Sequence, residues 1–198
     1  MSGLRERSTR PGPRAVFLGW LDGVLRPAGQ WGDERVIVFT EYRDTQRWLH
    51  EQLEARSYGA DGRIALLHGG LNPVERDQIK KLFLAPPDES PIRILLATDA
   101  ASEGIELQEQ CHRLVHWEIP WNPNRLEQRN GRIDRHGQRA PEVLIHHFVS
   151  AGYADAESGA DVKPGSLDGD LHFLAQAVRK VEQIRTDLGS VGPVIADR

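Results

Sequence analysis

Val36–Arg56, VIVFTEYRDTQRWLHEQLEAR, changes its period part-way along. Val36–Thr40 is a short apolar, β-branched run, which predicts a strand. From Asp44 to Arg56 the residues Thr45, Trp48, Leu49, Gln52 and Leu53 share one helical face, which predicts a helix directly after it. The same alternation continues outward. Ile64–Leu67 reads as a second strand, and Asn72–Pro73 supplies an N-cap and a first-turn proline for a helix over Val74–Leu84. The loop Ala85–Pro91 ends that helix. Ile92–Ala97, Leu114–Ile119 and Val143–Val149 read as further strands, with a second Asn–Pro helix start at Asn122–Pro123 between the last two. Strands alternating with helices of this length imply an α/β fold with a mainly parallel sheet covered on both faces and right-handed crossovers. In such sheets the ligand crevice lies at the carboxyl ends of the strands.

The segments outside this core read differently. Residues 1–33 are rich in Gly, Pro and Arg and are expected to be a linker or lead-in, with a short apolar patch at Val16–Leu18 and Trp20. Residues 34–150 are expected to form the domain. Residues 151–170, rich in Gly, Ala and Asp, are expected to form a flexible loop. Residues 171–198 are expected to hold a C-terminal helix and tail, in which Leu171, Leu174, Val178, Val181, Ile184 and Leu188 make one packing stripe.

Composition narrows the function classes. With 39% hydrophobic and 27% charged residues, the 198 residues have room for one buried α/β core. A net charge of -4 argues against a uniformly basic nucleic-acid binder, so any nucleic acid must be met by a local patch. Cys111 is the only cysteine, which excludes an internal disulfide or cysteine-based metal cluster and fits a reducing, cytoplasmic setting. No apolar run approaches the roughly 18 residues needed to span a bilayer, so no membrane partner is expected.

Four stretches carry the chemistry. Asn122–Gln138, NPNRLEQRNGRIDRHGQ, concentrates Arg125, Arg129, Arg132 and Arg135 against Glu127 and Asp134 in an otherwise acidic chain. On a helix starting at Asn122, Arg125, Arg129 and Arg132 would share one stripe and repel one another, which suggests an anion nearby. Gly131 would interrupt that helix at a cost of about 1 kcal/mol relative to alanine. The alternative reading of this charge run is a solvated helix face. Ile94–Gln108, ILLATDAASEGIELQ, is a buried strand with Thr98 and Asp99 at its carboxyl end, then small residues leading to Gly104. Small residues there let the backbone approach a phosphate or sugar, and a Thr hydroxyl can donate to a phosphate oxygen. His68–Gly69–Gly70 ends the second strand, and Thr40, Glu41 and Tyr42 end the first.

In this order the four resemble the motifs of the second RecA-like domain of superfamily-two helicases. VIVFTEY resembles motif IV, LLHGGLNPVERDQIKKLF the His–Gly block after it, LLATDAASEGIELQ motif V, and QRNGRIDRHGQ motif VI. The wording HWEIPWNPNRLEQRNGRIDRHGQ is most similar to bacterial Swi/Snf-type ATPases. The resemblance covers Val36 to Val149 and implies a three-layer RecA-like fold of the P-loop NTPase kind that lacks the P-loop itself.

It also implies roles. Arg132 and Arg135 match the two motif VI arginines that reach the triphosphate of ATP across a domain cleft, and Gln128 matches the first position of that motif. Gly104 and Glu106 match motif V positions beside the ribose. Thr98 matches the contact to the phosphate backbone of the tracked strand, and Thr40, His68 and Gly69 match other strand-facing positions. Two residues depart from the pattern: Glu106 stands where asparagine is usual, and Asn130 replaces a usual aliphatic residue.

The chain contains no G-x-x-x-x-G-K-[ST] loop and no Asp–Glu pair after a buried strand in the expected context. ATP with Mg²⁺ is therefore expected to be held mainly by an N-terminal RecA-like domain of the same protein, lying outside this chain. Nucleic acid, with duplex DNA favoured by analogy, is the other expected partner. The rival reading is a RecA-like binding platform without ATPase activity.

Overall fold

Residues 13–99, 106–120 and 122–148 are described by a computed structural model of the chain. The expected loop over 151–170, the expected helix Leu171–Leu188, Gly104 and Val149 lie outside the described residues.

The alternation of strand and helix is realised as β1 (Val36–Thr40), α2 (Arg43–Glu54), β2 (Ile64–Leu67), α3 (Pro73–Leu84), β3 (Ile94–Thr98), β4 (Arg113–His116), α4 (Pro123–Asn130) and β5 (Leu144–His147), preceded by α1 (Pro13–Leu25). The five strands form one sheet in the order β2-β3-β1-β4-β5, with every pairing parallel. Each strand returns through a crossover, so all the carboxyl ends lie along one edge.

Period-two alternation divides the core into two halves. Ile37, Phe39, Leu95, Ala97 and Leu114 face the side closed by Phe83 of α3 and by Ile133. Val36, Val38, Ile94, Leu96 and Val115 face the side closed by α1 and α2. Burial on both faces explains why β1 and β3 read as continuous apolar runs. The Asn72–Pro73 signal starts α3 as a full capping box: the Asn72 side chain accepts from Glu75 N–H at 2.9 Å, and the Glu75 carboxylate accepts from Asn72 N–H at 3.0 Å.

Two expectations are corrected. Residues 13–25, taken with the lead-in, form α1, and Phe17, Leu18, Leu21 and Leu25 are buried against the sheet. Gly19 and Gly23 cost about 1 kcal/mol each in a helix, but burying a large apolar side chain yields about 1.5–3 kcal/mol, and the stripe wins. The face assigned to α2 is rotated: Gln46, Leu49 and Leu53 are buried, whereas Trp48 is exposed. No helix among the described residues is long and apolar enough to cross a membrane.

Candidate nucleic-acid and nucleotide interface

The carboxyl edge of the sheet gathers the polar strand ends. Thr40 and Thr98 are register partners at the ends of β1 and β3, and Leu67, just before His68, pairs with Ala97. A groove of about 450 Å³ opens there, lined by Glu41, Arg43, Arg47, His68, Gly69, Gly70 and Thr98. Three of the four expected strand-facing residues thus meet on one wall. Thr40 does not: it is fully buried on the central strand, and its hydroxyl has no hydrogen-bond partner.

Local chemistry sets the groove. Gly70 N–H donates to His68 Nδ1 at 3.2 Å. A Cβ at Gly70 would stand 3.2 Å from that nitrogen, tighter than ordinary contact, so the turn favours glycine. Burial, then the Arg43 and Arg47 charges, hold the His68 pKa below its usual value. With Nδ1 accepting, the neutral ring carries its proton on Nε2.

The arginine-rich stretch behaves differently from one helical stripe. Asn122 caps α4 by accepting from Asn124 N–H at 3.0 Å, and the helix ends at Asn130 with Gly131 as C-cap. Arg132 therefore lies beyond the helix, and the expected row of three arginines is broken. The anion that the row suggested is the chain's own Asp99. Arg129, 2% exposed, holds both of its carboxylate oxygens, from Nε at 2.6 Å and from Nη2 at 2.9 Å. Arg125 stands 3.8 Å from Asp99 and 3.7 Å from Glu41. Arg129 also donates from Nη1 to the Glu118 carbonyl at 2.8 Å and lies over the Phe39 ring.

Behind Arg129 is a buried polar core that sequence reading missed. Arg129 Nη1 lies 3.4 Å from His116 Nδ1, and His116 Nε2 lies 2.9 Å from Asn130 Oδ1. Arginine has no acceptor, so Nδ1 accepts and Nε2–H donates to Asn130. Asn130, which stands where an aliphatic residue is usual, is buried and supplies the acceptor for His116. His116 stacks on His147 at 4.8 Å. Burial, then His147, drives the His116 pKa well down, and burial, then His146, brings His147 to about 4. Glu118 ties the edge together, accepting from Glu41 N–H and from Thr45 Oγ1, both at 2.6 Å.

The expected nucleotide-facing residues lie on either side of this anchor. Gln128 is exposed. Arg132 is half-buried, and its carbonyl accepts from Leu107 N–H at 3.0 Å, which fixes the turn against the end of motif V. Arg135 Nη1 sits 2.8 Å from Glu106 Oε1, with the two side chains 54% and 58% exposed. Glu106 thus contacts the very arginine with which it was grouped.

The all-parallel five-stranded sheet with apolar cores on both faces is the α/β architecture of a RecA-like domain. The family model described as the helicase conserved C-terminal domain matches residues 24–137, and the chain belongs to that family. Over 118 residues it is 42% identical to the ATP-dependent helicase YqhH of Bacillus subtilis, covering 60% of this chain and 19% of that protein. Over 123 residues it is 33% identical to the RNA polymerase-associated protein RapA of Yersinia enterocolitica, covering 62% of this chain and 12% of that protein. These relatives agree with the Swi/Snf-type superfamily-two resemblance. The fold is similar to that of the C-terminal part of the Fun30 ATPase domain, with a TM-score of 0.61 at 18% identity, covering 94% of this chain and 57% of that one.

Proposed function

We propose that this chain is the second RecA-like half of an ATP-driven nucleic-acid translocase of Swi/Snf type, supplying arginine fingers to a nucleotide held mainly by an N-terminal RecA-like half. The observation that supports this most is the contrast within one arginine cluster. Arg129 is buried and locked to Asp99, whereas Arg135 is exposed in an ion pair with Glu106. Surface pairs contribute about 0–1 kcal/mol, so Arg135 can exchange Glu106 for a phosphate oxygen at little cost. Arg129 fixes the end of α4, and the turn that follows presents Arg132 and Arg135.

The chemical share of this half is electrostatic. Two guanidinium groups, which only donate, fit an anion. Arg132 and Arg135 would bind the triphosphate and stabilise charge on the transferring phosphoryl group, with Gln128, Glu106 and Gly104 as the other nucleotide-facing positions. Mg²⁺, which neutralises phosphate charge when bound, is assigned to the other half. Thr98, His68 and Gly69 would contact a strand of nucleic acid, with duplex DNA favoured, and cleft closure and release would move those contacts along it.

The test is complementation. Alone, the chain should show no ATP turnover; joined to a phosphate-loop half, it should restore hydrolysis that nucleic acid stimulates. Steady turnover by the isolated chain, or folded halves that together stay inert, would refute the proposal.

A further inference from the structure

The helix α2 follows β1 without a side-chain cap of its own, because its N-cap residue, Tyr42, makes no such bond. The missing fastening comes from another strand. Glu118 Oε2 accepts from Glu41 N–H and Glu118 Oε1 accepts from the Thr45 hydroxyl, each at 2.6 Å. One bond holds the turn before α2 and the other holds its third residue. Hydrogen bonds to a carboxylate are roughly twice as strong as neutral ones, and a negative charge beside a helix N-terminus is favourable in itself. Position 118 is also fixed from behind. Trp117 N–H donates to the Phe39 carbonyl at 3.0 Å, which extends the β1–β4 ladder to the residue before Glu118.

The carbonyl of Glu118 serves a different element. It accepts from Arg129 Nη1 at 2.8 Å, and Arg129 in turn grips Asp99 just past β3. The side chain and main chain of one residue therefore join two elements with separate tasks. α2 carries Arg43 and Arg47, which line the groove, and α4 leads into the turn of Arg132 and Arg135. A second link runs in parallel from Arg125 to Glu41 at 3.7 Å, but its arginine side chain is 53% exposed. An exposed pair at that distance is screened and weak, so Glu118 makes the stiffer connection.

We propose that Glu118 is a positioning residue that couples occupancy of the groove to the placement of the arginine-bearing turn. This rests on the function proposed above and deepens it, giving the motor a link between its track and its nucleotide. A strand seated in the groove acts on the first turn of α2. Two charge-assisted bonds carry that load to the end of β4, and the Glu118 carbonyl passes it to Arg129, since contiguous hydrogen bonds and rigid elements transmit coupling between sites. The two arms can be cut separately. Loss of the side chain frees α2 but keeps the carbonyl that anchors Arg129.

The experiment uses this chain joined to a phosphate-loop half and measures steady-state ATP hydrolysis without and with saturating duplex DNA. Glu118→Ala should lower the duplex-stimulated kcat by about fivefold or more, the lower end of typical coupling between sites. Basal kcat, the KM for ATP and the half-saturating duplex concentration should stay at the parent's values, because coupling to a rate need not appear in an affinity. Thr45→Val removes one of the two bonds and should lose part of the stimulation. Added to Glu118→Ala, it should cost nothing more, since its partner is already gone. Glu118→Gln, whose single amide oxygen can serve one donor, should recover part of the loss. Unaltered urea midpoints establish that the variants fold, and Thr45→Val, the milder change, carries the test by itself should Glu118→Ala not fold.

Basal and stimulated rates that fall by one common factor in Glu118→Ala would make Glu118 a support of the fold alone and overturn the inference, with the translocase reading intact. Parental stimulation in Glu118→Ala would overturn it in the same way. So would weaker duplex binding with full stimulation at saturation, which would make Glu118 part of the groove. A parent motor that neither duplex nor single-stranded DNA stimulates would overturn both readings.

Discussion

Arg129 grips both carboxylate oxygens of Asp99, joining the residue after β3 to the last turn of α4 through a guanidinium that solvent hardly reaches. Asp99 follows Thr98 on the wall of the strand groove, and Arg129 follows Gln128 on the way to Arg132 and Arg135. The pair therefore sits between the two faces that the proposed function requires. Removing one partner of such a pair leaves the other charge poorly compensated. Arg129→Ala should lower stability by about 3–5 kcal/mol, read as a shift in the urea midpoint. Arg129→Lys should recover only part of this, since one ammonium cannot span two oxygens. A loss below about 1 kcal/mol would show the pair to be dispensable.

Arg132→Ala and Arg135→Ala, in the motor completed by its phosphate-loop half, should cut nucleic-acid-stimulated ATP hydrolysis by about 10³-fold or more while nucleic-acid affinity stays close to the parent's. Lysine should rescue poorly. Arg125→Ala should cost less, because Arg125 faces Glu41 and Asp99 on the first turn of α4. Steady-state kinetics on the three variants check this, and three parental rates would support the solvated-face reading instead.

Acid should weaken the fold through His116 and His147. Above about pH 6.5 both rings are neutral folded and unfolded, and they contribute no pH dependence. As pH falls below that value the unfolded chain takes up protons that the folded core refuses, until His147 titrates at about 4. Stability should therefore fall steadily from pH 6.5 to pH 4, by on the order of 3 kcal/mol from His147 at the lower end. Thermal midpoints across this range test it. His147→Phe should flatten the curve, since His147 Nδ1 makes no hydrogen bond that the substitution could break.

Asn130→Leu restores the aliphatic residue usual at this motif position, yet it should destabilise this chain by about 1–3 kcal/mol. His116 Nε2–H would lose its acceptor inside the core. Combining it with His116→Phe should cost less than the sum of the two single changes, which a double-mutant cycle by chemical denaturation measures. Additive losses would mean that the 2.9 Å contact carries no coupling.

Periodicity and punctuation were enough to read strands over Val36–Thr40 and Ile64–Leu67, a third over Ile92–Ala97 that the structure shifts to Ile94–Thr98, and the capped start of α3, because burial on both faces and the Asn–Pro cap are local properties of the chain. The order of the motifs likewise marked the family and placed His68, Gly69 and Thr98 on one edge. What the sequence could not decide was which polar groups face each other. Four arginines in one stretch look alike until the helix ends at Gly131 and Asp99, thirty residues away in the chain, claims Arg129. Asn130 departs from the aliphatic residue usual in the motif and is the acceptor for His116. Residues 13–25 passed for a linker because composition hid an apolar stripe whose partner is the sheet. In each case the deciding energy is a pairing across the fold, desolvated and satisfied only once the strands are aligned. Such a pairing leaves no period in the sequence, so only the tertiary structure could fix it.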